Sequence, residues 1–335
     1  FIYIYIYIHI LVNMANSGTF VNATLNYTPN NNKQMVLYLR FEDKGLKPPI
    51  EEHGEVFNPF LPENKDPRVM RVRDVRPEIS KWTTTDALDN HGFMYVKNKS
   101  SLSTMDYYDN EIVMNEYYPA CGELVKERTG AAKVLVFDHV LRNKKAAGEL
   151  LKGGAPIQNP VGLCHNDYTP ISARNRVLQL AAPIDADITA NTVKEPLLNM
   201  EEAKYLLDTH RVAFINVWRS IGAHPVKDNS LAVCDKESFA PNDFADLKFV
   251  YPDREGGISV AKYNPNHKWC YVSDLMNDEC ILLKCYDSKF GGVPSAHAGF
   301  DLPNAPSNYP SRESVEIRTI AFWPKEDNMN NKSKL

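Results

Sequence analysis

From residue 133 onward the chain is cut into short runs rich in β-branched and aromatic residues, each ended by Pro, Gly, Asn or Asp. The runs fall at 133–141, 211–218, 231–235, 257–263, 269–273, 280–287, 295–299 and 313–322. Half-buried strands need such residues, and the turns between them need such punctuation. Strands of this kind in such number suit a double-stranded β-helix, or jelly roll: a mainly β core with flanking helices (α+β). Helices do not alternate with every strand, and no GxGxxG or P-loop motif is present. Both facts argue against a Rossmann or TIM-barrel fold.

Residues 14–130 read as an N-terminal arm and helices wrapping the core. The stretch 14–70 is polar and Pro-rich, with one strand expected near Met35–Phe41. Glu111 to Arg128 carries an apolar helical stripe that stops at Gly130, and Asn199 caps a second helix running to Thr209. No linker and no internal repeat divides the chain, so the expectation is a single domain with its jelly-roll core at 131–325.

Both ends read differently from the rest. Phe1 to Val12 (FIYIYIYIHILV) is too short to span a bilayer and lacks the basic start and cleavage site of a signal peptide. Its Ile-Tyr alternation is what a translated A/T dinucleotide repeat would give, so residues 1–13 are expected to be an upstream translation artefact. Residues 326–335 read as a polar, flexible tail, and its last three, Ser333-Lys334-Leu335, read as the peroxisomal address. The expected location is therefore the peroxisome, otherwise the cytoplasm, with the import receptor as a partner. A net charge of −4 without a basic stripe argues against nucleic acid, and no segment argues for a membrane. The six cysteines form no CxxC pair, which suggests buried thiols.

The chemistry concentrates in Cys164-His165-Asn166-Asp167-Tyr168-Thr169. A His and an Asp two apart on an extended strand point to one side and can grip one metal ion. A 2-His-1-carboxylate triad then needs a second His from elsewhere, and His210, His224, His267 and His297 are the candidates. His53-Gly-Glu55 is the one His-x-Glu, in the Pro-rich arm, and His139 directly follows Asp138, which on a strand puts the two on opposite faces. Near the end of the chain, Arg312 and Ser314 share one strand face, with Glu316 and Arg318 continuing it. A guanidinium beside a hydroxyl suits one end of a dicarboxylate.

Together, His165-x-Asp167, late His297 and Arg312-x-Ser314 resemble the Fe(II)/2-oxoglutarate-dependent dioxygenases. More narrowly, the chain resembles the group of gibberellin GA4 desaturase, the AsaB-type hydroxylases and the methoxylase CmcJ. The stretches that carry the likeness are Phe137–Arg142, Cys164–Thr169, Phe214–Arg219, Leu231–Asp235, His267-Lys268-Trp269, Lys284–Ser288 and Pro310–Arg318. The resemblance implies Fe(II) on His165, Asp167 and His297, and 2-oxoglutarate held by Arg312 and Ser314, with Arg318 as a further contact to co-substrate or substrate. It also implies O2 as co-substrate, release of succinate and CO2, and oxidation of an unactivated C–H of a small specialised metabolite. Hydroxylation, desaturation and ring formation all remain open.

Arg318, Lys284 and Arg219 are candidate pocket cations for a carboxylated substrate. Asn216 is a candidate to face the pocket, Tyr168 and Thr169 to line its mouth, and Trp218 and Cys164 to pack in the core. Two other classes share part of the pattern. A metal-dependent hydrolase would use the same His and Asp without needing Arg312-x-Ser314. A non-catalytic jelly-roll binding protein would carry a damaged triad.

Overall fold

The computed structural model describes residues 19–30, 35–49, 57–182, 195–240, 242–252, 254–292 and 295–325. The expectations for residues 1–13, for His53 and Glu55, and for the tail 326–335 lie outside the described residues. Fourteen strands are present among the described residues: β1 Phe20–Tyr27, β2 Met35–Tyr38, β3 Asp66–Asp74, β4 Phe93–Lys97, β5 Lys133–Asn143, β6 His165–Asn166, β7 His210–Ser220, β8 Ser230–Cys234, β9 Phe244–Val250, β10 Glu255–Ala261, β11 Trp269–Tyr271, β12 Glu279–Asp287, β13 His297–Phe300 and β14 Glu313–Pro324. They form a nine-stranded sheet in the order β1-β3-β11-β8-β13-β6-β10-β9-β2 and a five-stranded sheet in the order β4-β12-β7-β14-β5. From β5 to β8 and again from β11 to β14 the chain alternates between the two sheets. That alternation is the jelly roll expected from the strand succession.

Side chains alternate along each strand, so each sheet has two distinct faces. On β7, Phe214 and Trp218 join Ile281, Leu283, Ile320 and Phe322 and meet Leu231, Val233 and Cys270 of the other sheet in one buried cluster. The intervening Ala213, Ile215 and Val217 face the other way, against Tyr118, Cys121, Leu124 and Val125 of the helix Tyr118–Thr129. That helix ends on Gly130 in the left-handed conformation, at the stop read from the sequence. The Asn199 cap also forms, opening the helix Met200–Thr209.

The N-terminal arm differs most from expectation. It supplies β1, β2 and β3 to the nine-stranded sheet and β4 to the five-stranded sheet, where one strand was expected. The Cys164 N–H donates to the Asn26 carbonyl at 2.7 Å, and the Thr28 N–H to the Ala261 carbonyl at 2.9 Å. β1 thus reaches across to the residues flanking β6 and β10, and Ala23, Leu25 and Tyr27 bury against Ala232, Cys234, Trp269 and Ala298. Strand β9 and the helices Thr85–His91 and Pro170–Gln179 also went unread. The first of these helices stops at Gly92, where φ is 88° and an added Cβ would lie 2.6 Å from the Ser295 Cβ, so only glycine fits.

One buried polar cluster pins the arm. Trp269 Nε1–H donates to the Tyr27 hydroxyl at 2.7 Å. His267 lies 3.2 Å from the same hydroxyl through Nδ1 and 3.0 Å from Asp243 through Nε2. Removing that hydroxyl strands a buried indole donor, which costs about 1–3 kcal/mol. Tyr27→Phe is therefore expected to lower unfolding stability by that amount in urea titration, and an unchanged midpoint would contradict the pinning role.

Candidate active site

The first metal-ligating candidates come from a two-residue strand. β6 is short, but its neighbours fix it: His165 pairs with Val260 on one side and with His297 on the other. Directly opposed residues on antiparallel strands project to the same face with Cβ atoms about 4.5–5.5 Å apart. The imidazole centroids are accordingly 4.5 Å apart. Asp167, two residues beyond His165, follows onto that face. Its Oδ1 lies 3.4 Å from His165 Nε2 and 3.8 Å from His297 Nε2. Each residue offers one ligand atom, and the three atoms lie within 4.8 Å of one another.

The electrostatics suit a cation. The Leu163 carbonyl lies 2.7 Å from His165 Nδ1 and can only accept, so Nδ1 donates to it and Nε2 is the nitrogen turned toward Asp167. Burial, and then the neighbouring His165, push His297 down to about 3, so it is neutral at physiological pH. Burial opposes the charge of Asp167, but Arg318, followed by His165 and His297, holds its carboxyl well below the usual range. Two imidazoles and one carboxylate on one face fit Fe(II) and leave coordination positions open.

The opposite wall is the inner face of the five-stranded sheet. Its register sets side chains in rows across β5, β14 and β7: Arg142–Ser314–Ser220, then Val140–Glu316–Trp218, then Asp138–Arg318–Asn216. The last row meets the histidine cluster. Asn216 Nδ2 donates to Asp167 Oδ2 at 2.7 Å and to Glu316 Oε1 at 2.6 Å. Arg318 Nε lies 3.5 Å from Asp167 Oδ2, and its Nη1 donates to Asp138 at 3.2 Å. Asp167 is thus held by one oxygen and presents the other to the histidines. Burial and the Asp167 charge push Glu316 up to about 7.

Arg312 and Ser314 are both buried. Arg312 donates through Nη1 to the Asn229 carbonyl at 2.5 Å, and its guanidinium lies 5.5 Å from the centre of the Trp218 ring. Burial, and then Arg142, push it down to about 9. Among the described residues, Arg312 Nε and Ser314 Oγ are buried polar atoms without hydrogen-bond partners. A carboxylate between them would satisfy both.

Other sequence candidates divide. Asn216 faces the pocket, and Trp218 and Cys164 pack in cores, as expected. Tyr168 packs against Phe214 at 4.3 Å, and Thr169 caps the helix that begins at Pro170, so both serve the fold. Arg219 is not a cation of this site: it points to the outer face, bonding the Tyr117 hydroxyl at 2.6 Å and the Asn277 carbonyl at 2.7 Å. Nor is Lys284, which pairs with Asp89 at 2.6 Å and Asp287 at 3.1 Å. Of the other histidines, His267 is held in the Tyr27 cluster, and His139 meets the Tyr118 hydroxyl at 2.9 Å behind the sheet. Arg142 and the linking role of Asn216 were missed. Arg142 lay one residue beyond the expected strand 133–141, but its period-two spacing from Asp138 placed it on that strand's inward face.

The chain matches a family model described as an oxidoreductase/YMDC permease-like domain over residues 25–322. No helix among the described residues is long and apolar enough to cross a membrane. The hydroxylase/desaturase efuI of Hormonema carpetanum is 29% identical over 326 residues, covering 92% of this chain and 96% of the relative. The hydroxylase/desaturase CTB9 of Cercospora beticola is 30% identical over 283 residues, covering 78% of each. Among solved structures, the iron and α-ketoglutarate-dependent endoperoxidase NvfI superposes with a TM-score of 0.70 at 25% identity, over 92% of this chain and 99% of that one. With a triad-like cluster facing an arginine–serine pair across a jelly roll, the chain belongs to this oxidoreductase family and, within it, to the Fe(II)/2-oxoglutarate-dependent dioxygenases that include the hydroxylase/desaturases.

Proposed function

We propose that His165, Asp167 and His297 hold Fe(II), and that Arg312 and Ser314 seat the distal carboxylate of 2-oxoglutarate. The observation that carries this reading is the direct opposition of His165 and His297, with Asp167 Oδ1 reaching both. Iron, 2-oxoglutarate and O2 supply the oxidising power, with succinate and CO2 released. The protein's own residues orient and shield. Asn216 and Arg318 occupy Asp167 Oδ2, which supports single-oxygen ligation and an ionised carboxylate. Trp218 backs the Arg312 guanidinium and keeps that end of the pocket dry.

The reaction is oxidation of an unactivated C–H of a small specialised metabolite. We read the substrate as carrying a carboxylate. Of the three cations that suggested it, Arg318 stands at the site, 3.2 Å from Asp138 and 3.5 Å from Asp167. We further read Ser333-Lys334-Leu335 as a peroxisomal address.

Three outcomes test these readings. With Fe(II), 2-oxoglutarate and ascorbate under air, the enzyme is expected to release succinate, and His297→Ala to fall to background; full activity in that variant would remove His297 from the triad. Asn216→Ala is expected to weaken Co(II) binding about 10–100-fold by calorimetry, whereas wild-type affinity would show that Asn216 does not hold the ligand. A fluorescent protein fused ahead of the chain should join peroxisomes and stay in the cytosol once Ser333–Leu335 are removed; the same distribution for both would refute the address.

A further inference from the structure

The inner face of the five-stranded sheet carries a buried cation that this reading leaves without a task. Arg142 lies on β5 directly opposite Ser314 of β14, so the two side chains rise side by side. Among the described residues only its Nη1 is bonded, donating to Gln158 Oε1 at 3.2 Å and the Asn159 carbonyl at 2.9 Å. No described residue bonds Nε or Nη2. Arg142 and Arg312 are only 9% and 5% exposed. The charge of Arg142 acts on Arg312 and on His297, while Glu316 and Asp167 act on Arg142. These groups therefore lie within reach of one another's charge.

Two guanidiniums in a buried wall repel each other and are costly unless an anion meets them. The charge of Glu316 acts on both, but that carboxylate is already bonded by Asn216. A carboxylate ligand has two oxygens and about four lone-pair sites. Arg312 Nε and Ser314 Oγ can take some of them, and a second guanidinium can take the rest.

Resting on the 2-oxoglutarate reading above, we propose that Arg142 is a second binding residue for the distal carboxylate of 2-oxoglutarate, closing a clamp with Arg312 and Ser314. The clamp makes discrimination for the dicarboxylate steep. A ligand with the same 2-oxo acid head and a methyl in place of the far carboxylate leaves two buried cations unmet.

The test is calorimetric titration of the Mn(II)-loaded protein with 2-oxoglutarate and with 2-oxopentanoate. A charge-assisted hydrogen bond contributes about 1.5–3 kcal/mol, which corresponds to roughly tenfold to a hundredfold in affinity. Arg142→Gln should lose that much affinity for 2-oxoglutarate while 2-oxopentanoate and Mn(II) bind as before. Arg142→Lys, which keeps the charge and loses the planar fork, should fall between. Circular dichroism checks both folds, and the Lys variant decides if the Gln variant is unfolded. Wild-type preference for 2-oxoglutarate in folded variants would overturn the clamp, as would equal loss of both ligands. Failure of the wild-type protein itself to bind 2-oxoglutarate would instead sink the reading on which the clamp rests.

Discussion

His165 and His297 face each other across one rung of the β6–β13 ladder, and most of the site depends on that rung. In an antiparallel pair a slip of one residue turns a side chain to the opposite face. Such a slip would send one imidazole into the apolar cluster of Ala232, Cys234, Ala298 and Trp269, and would remove it from Asp167. The register is held from several sides. Val260 pairs with His165, Val233 pairs with His297, and the Asn26 carbonyl receives the Cys164 N–H just before β6. The N-terminal strand β1 is therefore part of what sets the site. Burying its apolar side of Ala23, Leu25 and Tyr27 stabilises the same sheet that aligns the histidines.

The opposing sheet supplies the complementary half. Its inner rows run from a cationic end at Arg142 and Arg312, through Glu316, to the Asn216–Arg318 pair that holds Asp167. Asn216 joins two carboxylates through one amide nitrogen, so the inner wall and the histidine sheet meet at a hydrogen bond of 2.7 Å. Charges buried in this way are stable only when paired, and most are: Arg318 with Asp138 and Asp167, Asp167 with Asn216. Arg312 Nε and Ser314 Oγ are among the buried polar atoms without a partner, and they lie where an acidic co-substrate is needed.

Much of this was legible in the sequence because it follows period two. The eight expected strands, the His-x-Asp pair and Arg312-x-Ser314 all rest on alternation within one strand. The arm was not legible. Its strands pair with β9, β11 and the residues flanking β6 and β10, far away in sequence, and its polar, Pro-rich composition reads as a loop. β6 could not be read either, since two residues carry no period and only their partners define them. Lys284 and Arg219 looked like pocket cations because a charge in an apolar strand suggests function. Both instead face outward and are paired, Lys284 with Asp89 and Asp287, and Arg219 with Tyr117 and Asn277. Which face a strand turns inward depends on the sheet it joins, and that information is not local.

The central claim is that the two histidines and Asp167 present open positions on one metal ion to a 2-oxo acid anchored by Arg312. Chelation of Fe(II) by a 2-oxo acid produces a visible charge-transfer absorption that requires no substrate and no turnover. Anaerobic titration of the Fe(II)-loaded protein with 2-oxoglutarate measures it directly. The account predicts a saturable band in the wild-type protein, its loss in His297→Ala, and saturation only at higher 2-oxoglutarate in Arg312→Met. A wild-type protein that binds Fe(II) yet shows no band, or a band unchanged in both variants, would contradict it.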